Sequence, residues 1–165
     1  MQIRVRLKLL RDAALVYACN NPEAALDGFV PATPLSVGVD LRACLEPGEE
    51  EVSIAPGERR AVGSGIALEP LLDNDELVAG FVYSRSGLGA KQGLVVAQGV
   101  GIIDPDYRGE IIVWLLNTSQ QEIRLQRGER MAQLLFMPCC RPVFELADEL
   151  SQTRRGAGGF GHTGK

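Results

Sequence analysis

Short apolar segments, separated by glycine and proline at intervals of about ten residues, restrict the fold of this chain more than any other feature. Residues 3–7, 51–54 and 123–126 alternate between apolar and polar, whereas residues 77–83, 94–97, 111–116 and 131–137 are mostly apolar. Alternation is typical of strands with one buried face, and the continuous run at 111–116 predicts a strand covered on both faces. The pattern predicts an all-β fold, a jelly-roll-like barrel or sandwich.

Helical periodicity is scarce, so helices are expected to be few and short. Residues 10–19 are compatible with a helix, and residues 71–77 with a turn. A short helix is predicted at 86–92, with Ser86 as its N-cap and Gly93 just beyond its end. The glycine-rich end of the chain opposes ordering through backbone entropy. We therefore predict a β domain at residues 1–147 and a flexible arm at residues 148–165.

Charge and hydropathy exclude several classes of protein. The net charge of −4 argues against general nucleic-acid binding, which usually requires a basic surplus. No apolar run approaches the roughly 20 residues of a membrane span. Arg11 and Asp12 interrupt the apolar stretch near the start, unlike the apolar region of a signal peptide. We expect a cytoplasmic protein whose phosphate-binding groups, if present, are local.

The cysteines do not form a metal-binding pattern. The four cysteines include no C-x-x-C pair, and the chain has one histidine, His162. A structural zinc site is therefore not expected. Buried free thiols in a reducing compartment are the simpler interpretation.

The chain ends in RRGAGGFGHTGK, residues 154–165. The last seven residues satisfy G-x-x-x-x-G-K, but neither Ser nor Thr follows the lysine and no helix can begin there, so a Walker A loop is rejected. A plain disordered tail is one interpretation. However, glycines allow close approach to an anion, arginine can bind phosphate oxygens, and Phe160 can stack on a base. Such a segment could close over a nucleotide.

Three further stretches carry candidate chemistry. In SRSGL (84–88), Arg85 stands beside a predicted helix start, where free N–H groups favour an anion. In VGIIDPDYRGE (100–110), Asp104 precedes a proline at a turn and could orient a water. In VGVDLRA (37–43), Asp40 could hold Mg²⁺. From the residues alone, each stretch also fits an ordinary solvated turn or strand.

The stretches occur together and in order, and this combination resembles the trimeric deoxyuridine triphosphate nucleotidohydrolases, or dUTPases, across nearly the whole chain. The five matching motifs are VGVDLRA (37–43), SRSGL (84–88), VGIIDPDYRGE (100–110), RGERMAQLLF (127–136) and RGAGGFGHTG (155–164). The resemblance implies hydrolysis of dUTP to dUMP and pyrophosphate with Mg²⁺, in a homotrimer with shared active sites. It also implies a role in limiting uracil in DNA and supplying dUMP.

Residue roles follow from the same resemblance. Asp104 corresponds to the carboxylate that activates water against the α-phosphorus, and Asp40 to the residue that helps hold Mg²⁺ through water. Tyr107 corresponds to the tyrosine under the deoxyribose, which leaves no room for a 2′-hydroxyl. The remaining substrate-binding residues implied are Arg85, Ser86, Gly87 and Gln133 at the phosphates, Gln98, Gly101, Ile102 and Ile103 at the uracil, and Arg155, Phe160 and Gly161 in the arm.

Departures from the family pattern and rival functions are also visible. Gln98 stands where many bacterial members have Asn, His162 where Ser is usual, and residues 71–77 form an unusual loop sequence. A dCTP deaminase shares the fold and an Ile-Asp-Pro turn, but its glutamate on the following strand is replaced here by Trp114. The indole of Trp114 cannot accept a proton as the carboxylate of that glutamate can. A non-catalytic module on the same fold would be expected to lack Asp40, Asp104 or the arm, and all are present.

Overall fold

Eleven strands and three short helical segments follow one another along the chain, as described by a computed structural model of residues 3–18, 22–31, 33–72 and 77–159. The strands are β1 (Arg4–Leu9), β2 (Val39–Arg42), β3 (Glu51–Ile54), β4 (Arg59–Gly63), β5 (Ile66–Leu71), β6 (Leu77–Ser84), β7 (Leu94–Val96), β8 (Gly101–Ile103), β9 (Ile112–Asn117), β10 (Ile123–Gln126) and β11 (Arg130–Cys139). Two α-helices, α1 (Ala13–Tyr17) and α2 (Ser86–Gln92), and a 3-10 helix at Pro22–Phe29 complete the described structure.

All described strand pairs are antiparallel. One sheet has the order β2-β11-β6-β8, a second has β4-β9-β7, and two strand pairs are β1-β5 and β10-β3. The ten-residue β11 pairs with β2 on one side and with the whole of β6 on the other. The prediction of an all-β fold is therefore confirmed, and β11 and β6 form the platform on which the candidate site is built.

The core lies between these sheets and is almost entirely aliphatic. Leu41, Ile54, Ile66, Leu115 and Leu125 are each buried completely or almost completely. Alternating residues of β3 and β9 face it, because successive side chains of a strand point to opposite faces. The described helices include none that is both long and apolar enough to cross a bilayer.

The segment between β1 and β2 packs against the same core through Tyr17. This side chain is fully buried, and its ring stacks on Phe29 with centroids 4.3 Å apart. Its hydroxyl accepts a hydrogen bond from the backbone N–H of Arg42 at 3.0 Å. Burial raises the pKa of Tyr17, so the phenol stays neutral. The segment is thus anchored to β2, the strand that carries Asp40.

Several sequence predictions need correction. Ser86 is not the N-cap of α2: Arg85 occupies that position, without a side-chain capping bond, and Ser86 is the first helical residue. Gly93 does end the helix, in the left-handed conformation with φ 82°. The strand predicted to be covered on both faces has one open face, since Ile112 and Trp114 are about half exposed at 52% and 50%. The periodicity missed β2, β4, β5 and β8.

The cysteine prediction is only partly right. Cys44, Cys139 and Cys140 are free, but only Cys44 is buried. Burial raises the pKa of the Cys44 thiol. Cys19 and most of the unusual loop at 71–77, namely residues 73–76, lie outside the described residues.

Candidate functional site

A basic pocket of about 570 Å³ opens at one end of the central sheet. We use this name for the pocket whose polar lining consists of Ser36, Asp40, Arg85, Ser86, Gly87, Arg130 and Gln133. Arg85 donates through Nε to Asp40 Oδ1 at 2.8 Å, and Arg130 Nη1 lies 3.3 Å from Asp40 Oδ2. Two guanidinium groups thus share one carboxylate. The local surplus of positive charge suits an anion, although the whole chain is acidic.

Cross-strand pairing brings the residues of the basic pocket together. Gln133 on β11 is the direct cross-strand partner of Asp40 on β2 and of Tyr83 on β6. Its side-chain amide donates to the carbonyl of Ser84 at 3.0 Å, which fixes it beside the start of α2. Gly87 has open space where a Cβ would stand. The first N–H groups of a helix have no partner within the helix, so those of α2 remain available at this position.

A second region, here called the aspartate turn, comprises residues 104–110. It follows the three-residue strand β8, and the N–H of Tyr107 closes it by donating to the carbonyl of Asp104 at 3.0 Å. The Asp104 side chain is exposed and forms no hydrogen bond or ion pair with any residue that the structure describes. It lines a separate surface pocket together with Asp106, Arg108 and Arg141. An exposed, unpaired carboxylate can accept a proton from a bound water.

The predicted uracil-reading stretch, residues 98–103, lies between β7 and the aspartate turn. Gly99 has φ 83° in a tight turn in which its N–H donates to the carbonyl of Val96 at 2.9 Å. Gln98 is exposed, and its amide nitrogen stands against Gly101, where a Cβ would be 3.4 Å away. Ile102 is largely exposed beside them. The stretch presents an open backbone edge with an adaptable amide next to it.

The basic pocket and the aspartate turn lie at opposite ends of β6. Gly80 pairs with Ile103, and Val82 pairs with Gly101, so Asp104 is level with Ala79. Arg85 stands six residues further along the same line, or about 20 Å at the rise of a strand. The two pockets share no lining residue. Within one chain the structure therefore does not bring Asp104 together with Arg85, Ser86, Gly87 and Gln133.

The arm is described only in part. β11 ends at Cys139, and residues 141–156 are exposed and outside any helix or strand. Arg155 donates through Nε to the carbonyl of Gly158 at 2.9 Å and contacts neither the basic pocket nor the aspartate turn. Phe160, Gly161 and His162 lie outside the described residues. Four large apolar side chains of the segment are almost fully exposed: Val143, Phe144, Leu146 and Leu150.

Two groups of polar residues near these regions escaped the sequence predictions. Arg130 belongs to the basic pocket, and its position three residues before Gln133 in RGERMAQ was the available signal. A bulge between Arg130 and Ala132 alters the strand register there, which simple alternation could not reveal. Arg11 forms an ion pair with Glu110, the last residue of the aspartate turn, although the two are 99 residues apart in sequence. Only the tertiary structure relates them.

These features define a class of protein: an antiparallel β fold with a basic pocket and a separate exposed carboxylate. Its family follows from comparison with known sequences. The sequence profile of the dUTPase family matches residues 26–164, and the chain belongs to that family. The deoxyuridine 5′-triphosphate nucleotidohydrolase of Serratia proteamaculans is 43% identical over 147 residues, covering 88% of this chain and 93% of that protein. The Acinetobacter baumannii protein of the same name is 46% identical over 134 residues, 81% of this chain and 85% of that one.

Solved structures share the fold. The dUTPase of Staphylococcus bacteriophage 80alpha, solved with dUpNHpp, superposes with a TM-score of 0.75 at 21% identity, covering 98% of this chain and 99% of that one. The dUTPase of phage phi11 of S. aureus, described with a structural Mg(II) ion, superposes with a TM-score of 0.69 at 18% identity, covering 90% and 99%. At these identities the likeness concerns the fold.

Proposed function

We propose that this protein hydrolyses dUTP to dUMP and pyrophosphate. The observation that carries the proposal is the basic pocket in an acidic chain, formed by Asp40, Arg85, Arg130 and Gln133 from strands far apart in sequence. Family membership and relatives named for this reaction at 43% and 46% identity support the substrate. In the cell, the reaction would limit uracil incorporation into DNA and supply dUMP, and we place it in the cytoplasm.

The reaction step assigned to this chain is proton removal from water. Asp104 takes a proton from the attacking water, the new P–O bond forms at the α-phosphorus, and the bond to the bridging oxygen of pyrophosphate breaks. A general base of this kind contributes about 10²- to 10⁴-fold to the rate. Asp104 is exposed and has no hydrogen-bond or ion-pair partner among the described residues, so its carboxylate is available for the water.

The triphosphate would bind in the basic pocket. Arg85 and Arg130 would donate to phosphate oxygens, with further bonds from Gln133 and from the N–H groups of Ser86 and Gly87. The donor set fits Mg²⁺ carried by the substrate rather than a preformed cage, since no three His, Cys, Asp or Glu side chains of the described residues gather around one point. Asp40 would hold the ion through water. Bound Mg²⁺ would neutralise triphosphate charge.

Base and sugar selection are assigned to residues 98–107. Gln98 and the backbone of Gly101, Ile102 and Ile103 would pair with the uracil edge, and cytosine would leave buried groups unpaired there. Mismatches of this kind can discriminate by about 10⁴-fold. Tyr107 would pack under the deoxyribose and exclude a 2′-hydroxyl. From the arm, Arg155 would bind the γ-phosphate, while Phe160 and Gly161 would cover the uracil.

Shared active sites in a homotrimer would reconcile these roles with the geometry. One chain separates Asp104 from Arg85 by about 20 Å along β6, which is too far for both side chains to act on one triphosphate. A site formed between copies places the aspartate turn of one against the basic pocket of another. The exposed Ile112 and Trp114 on β9 and the exposed apolar residues after Cys139 are surfaces that such assembly would cover.

The first experiment measures pyrophosphate release from dUTP, dCTP, dTTP and UTP side by side. We expect release from dUTP, with rates for the other three lower by orders of magnitude. Absence of release from dUTP with Mg²⁺ present would contradict the proposed function. Ammonia release from dCTP would instead identify a deaminase, and tight dUTP binding without turnover would identify a non-catalytic module.

A second experiment tests the shared site by mixing two inactive variants. Asp104→Asn and Arg85→Ala subunits, unfolded and reassembled together at equal amounts, restore about one quarter of wild-type sites if the two residues come from different subunits. Reassembly of each variant alone is the control. If mixing restores no activity although mixed trimers form, both residues act within one subunit and the assembly proposal is wrong.

A further inference from the structure

One side of the aspartate turn faces the segment that follows β1. There Arg11 makes a two-point contact with Glu110: Nη1 donates to Oε2 at 2.8 Å and Nη2 to Oε1 at 2.5 Å. The two side chains are 25% and 16% exposed, so the contact is partly shielded from solvent. Parallel hydrogen bonds between a guanidinium and a carboxylate fix orientation as well as distance.

Additional contacts hold this pair in place. The N–H of Gly65 donates to Glu110 Oε1 at 2.8 Å, and Arg11 Nη2 also donates to the carbonyl of Cys44 at 3.2 Å. A Cβ at position 63 would overlap both Glu110 Oε1 and Arg11 Nη2. Gly63 therefore leaves the space that the ion pair occupies. The backbone at Gly63, Gly65 and Cys44 surrounds the pair and supports its two mutual hydrogen bonds.

The backbone at Arg11 is unusual. Its φ is 49°, in the left-handed region that residues with a Cβ rarely adopt. Glycine would suit this conformation better, yet the chain places an arginine there. An unfavourable backbone conformation persists only where surrounding contacts hold it. At Arg11 the side-chain bonds to Glu110 and Cys44 are such contacts.

The charge state of both partners favours the contact. Burial opposes the charge of Glu110, but the hydrogen bonds from Arg11 and Gly65 outweigh it and lower the pKa of the carboxyl. The hydrogen bond with Glu110 raises the pKa of Arg11 further above its ordinary value. Both groups are therefore charged at neutral pH, and the pair is a permanent ionic link.

Glu110 connects this link to the reactive part of the turn. Its backbone carbonyl accepts a hydrogen bond from the hydroxyl of Tyr107 at 3.0 Å. The Tyr107 ring lies so close to Gly109 that a Cβ there would overlap it. Tyr107 in turn closes the loop onto Asp104 through its N–H. The position of Glu110 thus influences the orientation of the ring.

Strand-type backbone hydrogen bonds hold Ile111, the residue after Glu110. Ile111 donates to the carbonyl of Ile66 at 2.9 Å and accepts from the N–H of Ser64 at 3.0 Å. The end of the turn is therefore held at Ile111 by β-type bonds, and one residue earlier by the side chain of Glu110. Among the described residues, Arg11 supplies two of the three hydrogen bonds that hold that side chain.

We propose that Arg11 is a positioning residue for the aspartate turn. Arg11 holds the side chain of Glu110, and the backbone carbonyl of Glu110 orients Tyr107. This inference rests on the proposed function for the roles of Tyr107 and Asp104. It adds a consequence for specificity. A Tyr107 ring that is less firmly held leaves more room for a 2′-hydroxyl, so the loss of Arg11 weakens rejection of UTP.

The test compares Arg11→Gly with the wild-type full-length protein. Glycine removes the guanidinium and suits the left-handed backbone, which limits the effect on folding. We expect kcat for dUTP to fall about tenfold, because small misplacements of reacting groups reduce rates strongly. We expect the ratio of kcat/KM for dUTP to that for UTP to fall by a similar factor, with KM for dUTP changed less than about threefold.

Two variants of the pair and one control accompany this measurement. Arg11→Lys keeps the charge but loses the two-point contact, so about a threefold effect on both readouts is expected. Glu110→Gln tests the same link from the other side if Arg11→Gly does not fold. Arg124→Ala removes an exposed β10 arginine that pairs with Glu51 at 3.4 Å, and it should leave both readouts unchanged.

The outcomes separate the two proposals. Wild-type protein that does not hydrolyse dUTP overturns the proposed function. Active wild-type protein together with unchanged kcat and unchanged dUTP-to-UTP ratio in Arg11→Gly overturns the positioning role alone. A variant that loses kcat but keeps the ratio also overturns it, because the loss then reflects a general structural role.

Discussion

The basic pocket and the aspartate turn differ in how completely the chain has already paired their functional groups. In the basic pocket, Asp40 accepts hydrogen bonds from Arg85 and Arg130, and the amide of Gln133 donates to the carbonyl of Ser84. In the aspartate turn, the carboxylate of Asp104 has no partner among the described residues. The pocket stands on the long pairing of β11 with β6, whereas the turn follows a strand of three residues.

This difference suggests a division between binding and chemistry. Groups held by the sheet are already arranged, so in the proposed function they would lose little freedom when phosphate binds. A carboxylate that acts as a base must instead remain unpaired until a water reaches it. The chain stabilises the turn from behind, through Arg11 and Glu110, and leaves its front open.

The largest expected effect comes from changing the unpaired carboxylate of Asp104. Asp104→Asn should lower kcat by about 10²- to 10⁴-fold, because the amide cannot accept the proton. Affinity for a non-hydrolysable imido analogue of dUTP, measured by calorimetry, should change only a few-fold. Asp106→Asn, two residues away in the same turn, is the matched control and should retain near wild-type turnover. Wild-type turnover in Asp104→Asn would reject the base assignment.

Deletion of residues 154–165 should produce the next largest effect. We expect kcat/KM for dUTP to fall by about 10²-fold, since the arm is proposed to supply Arg155 and the cover over the base. The melting temperature should shift little, because the described residues of the arm bury no core. Calorimetry with steady-state kinetics measures both. An unchanged rate would contradict the role of the arm as a lid.

Arg85→Lys should affect binding more than turnover. Lysine keeps the charge but cannot donate from Nε to Asp40 while binding phosphate at two points. We expect KM for dUTP to rise about tenfold, consistent with the loss of one charged hydrogen bond. Arg124→Lys, at an exposed arginine, is the control. A fall in kcat with unchanged KM would mean that Arg85 acts mainly in the transition state.

The smallest effect concerns stability and pH. The pKa of Glu110 is lowered in the folded protein, so its contribution to stability is present above its unfolded value of about 4.3 and is lost as pH falls through the folded value. The melting temperature of wild-type protein should therefore decline more steeply below about pH 4.3 than that of Glu110→Gln. Parallel slopes would show that the ion pair adds no pH-dependent stability.

Strand positions were largely predictable because alternation directly reflects one buried face. The segments predicted at 51–54 and 123–126 coincide with β3 and β10. The residues of β4 and β5 were missed: Arg59–Gly63 begins with three exposed positions, and Ile66–Leu71 carries three consecutive buried residues, so neither alternates. The cap of α2 was misassigned by one residue, since Arg85 makes no side-chain capping bond that a sequence pattern would reveal.

For the candidate site, the residue types were predictable but their grouping was not. The motifs placed Asp40, Arg85 and Gln133 on the phosphate side by resemblance, and cross-strand pairing explains why they meet. Arg130 joined them through a bulge in the strand register. The pairing of Arg11 with Glu110 depends on two turns closing against each other, which no local pattern records.

The sequence by itself determined the class of fold and the chemistry available, because hydrophobic alternation and turn residues act locally and side-chain chemistry is carried by each residue. Only the tertiary structure decided which groups share a pocket. Antiparallel pairing along β6 places Arg85 and Asp104 at opposite ends of one strand. Because a strand is extended and rigid, six residues become about 20 Å. This separation is why we propose that the two halves of the site meet through a second copy of the chain.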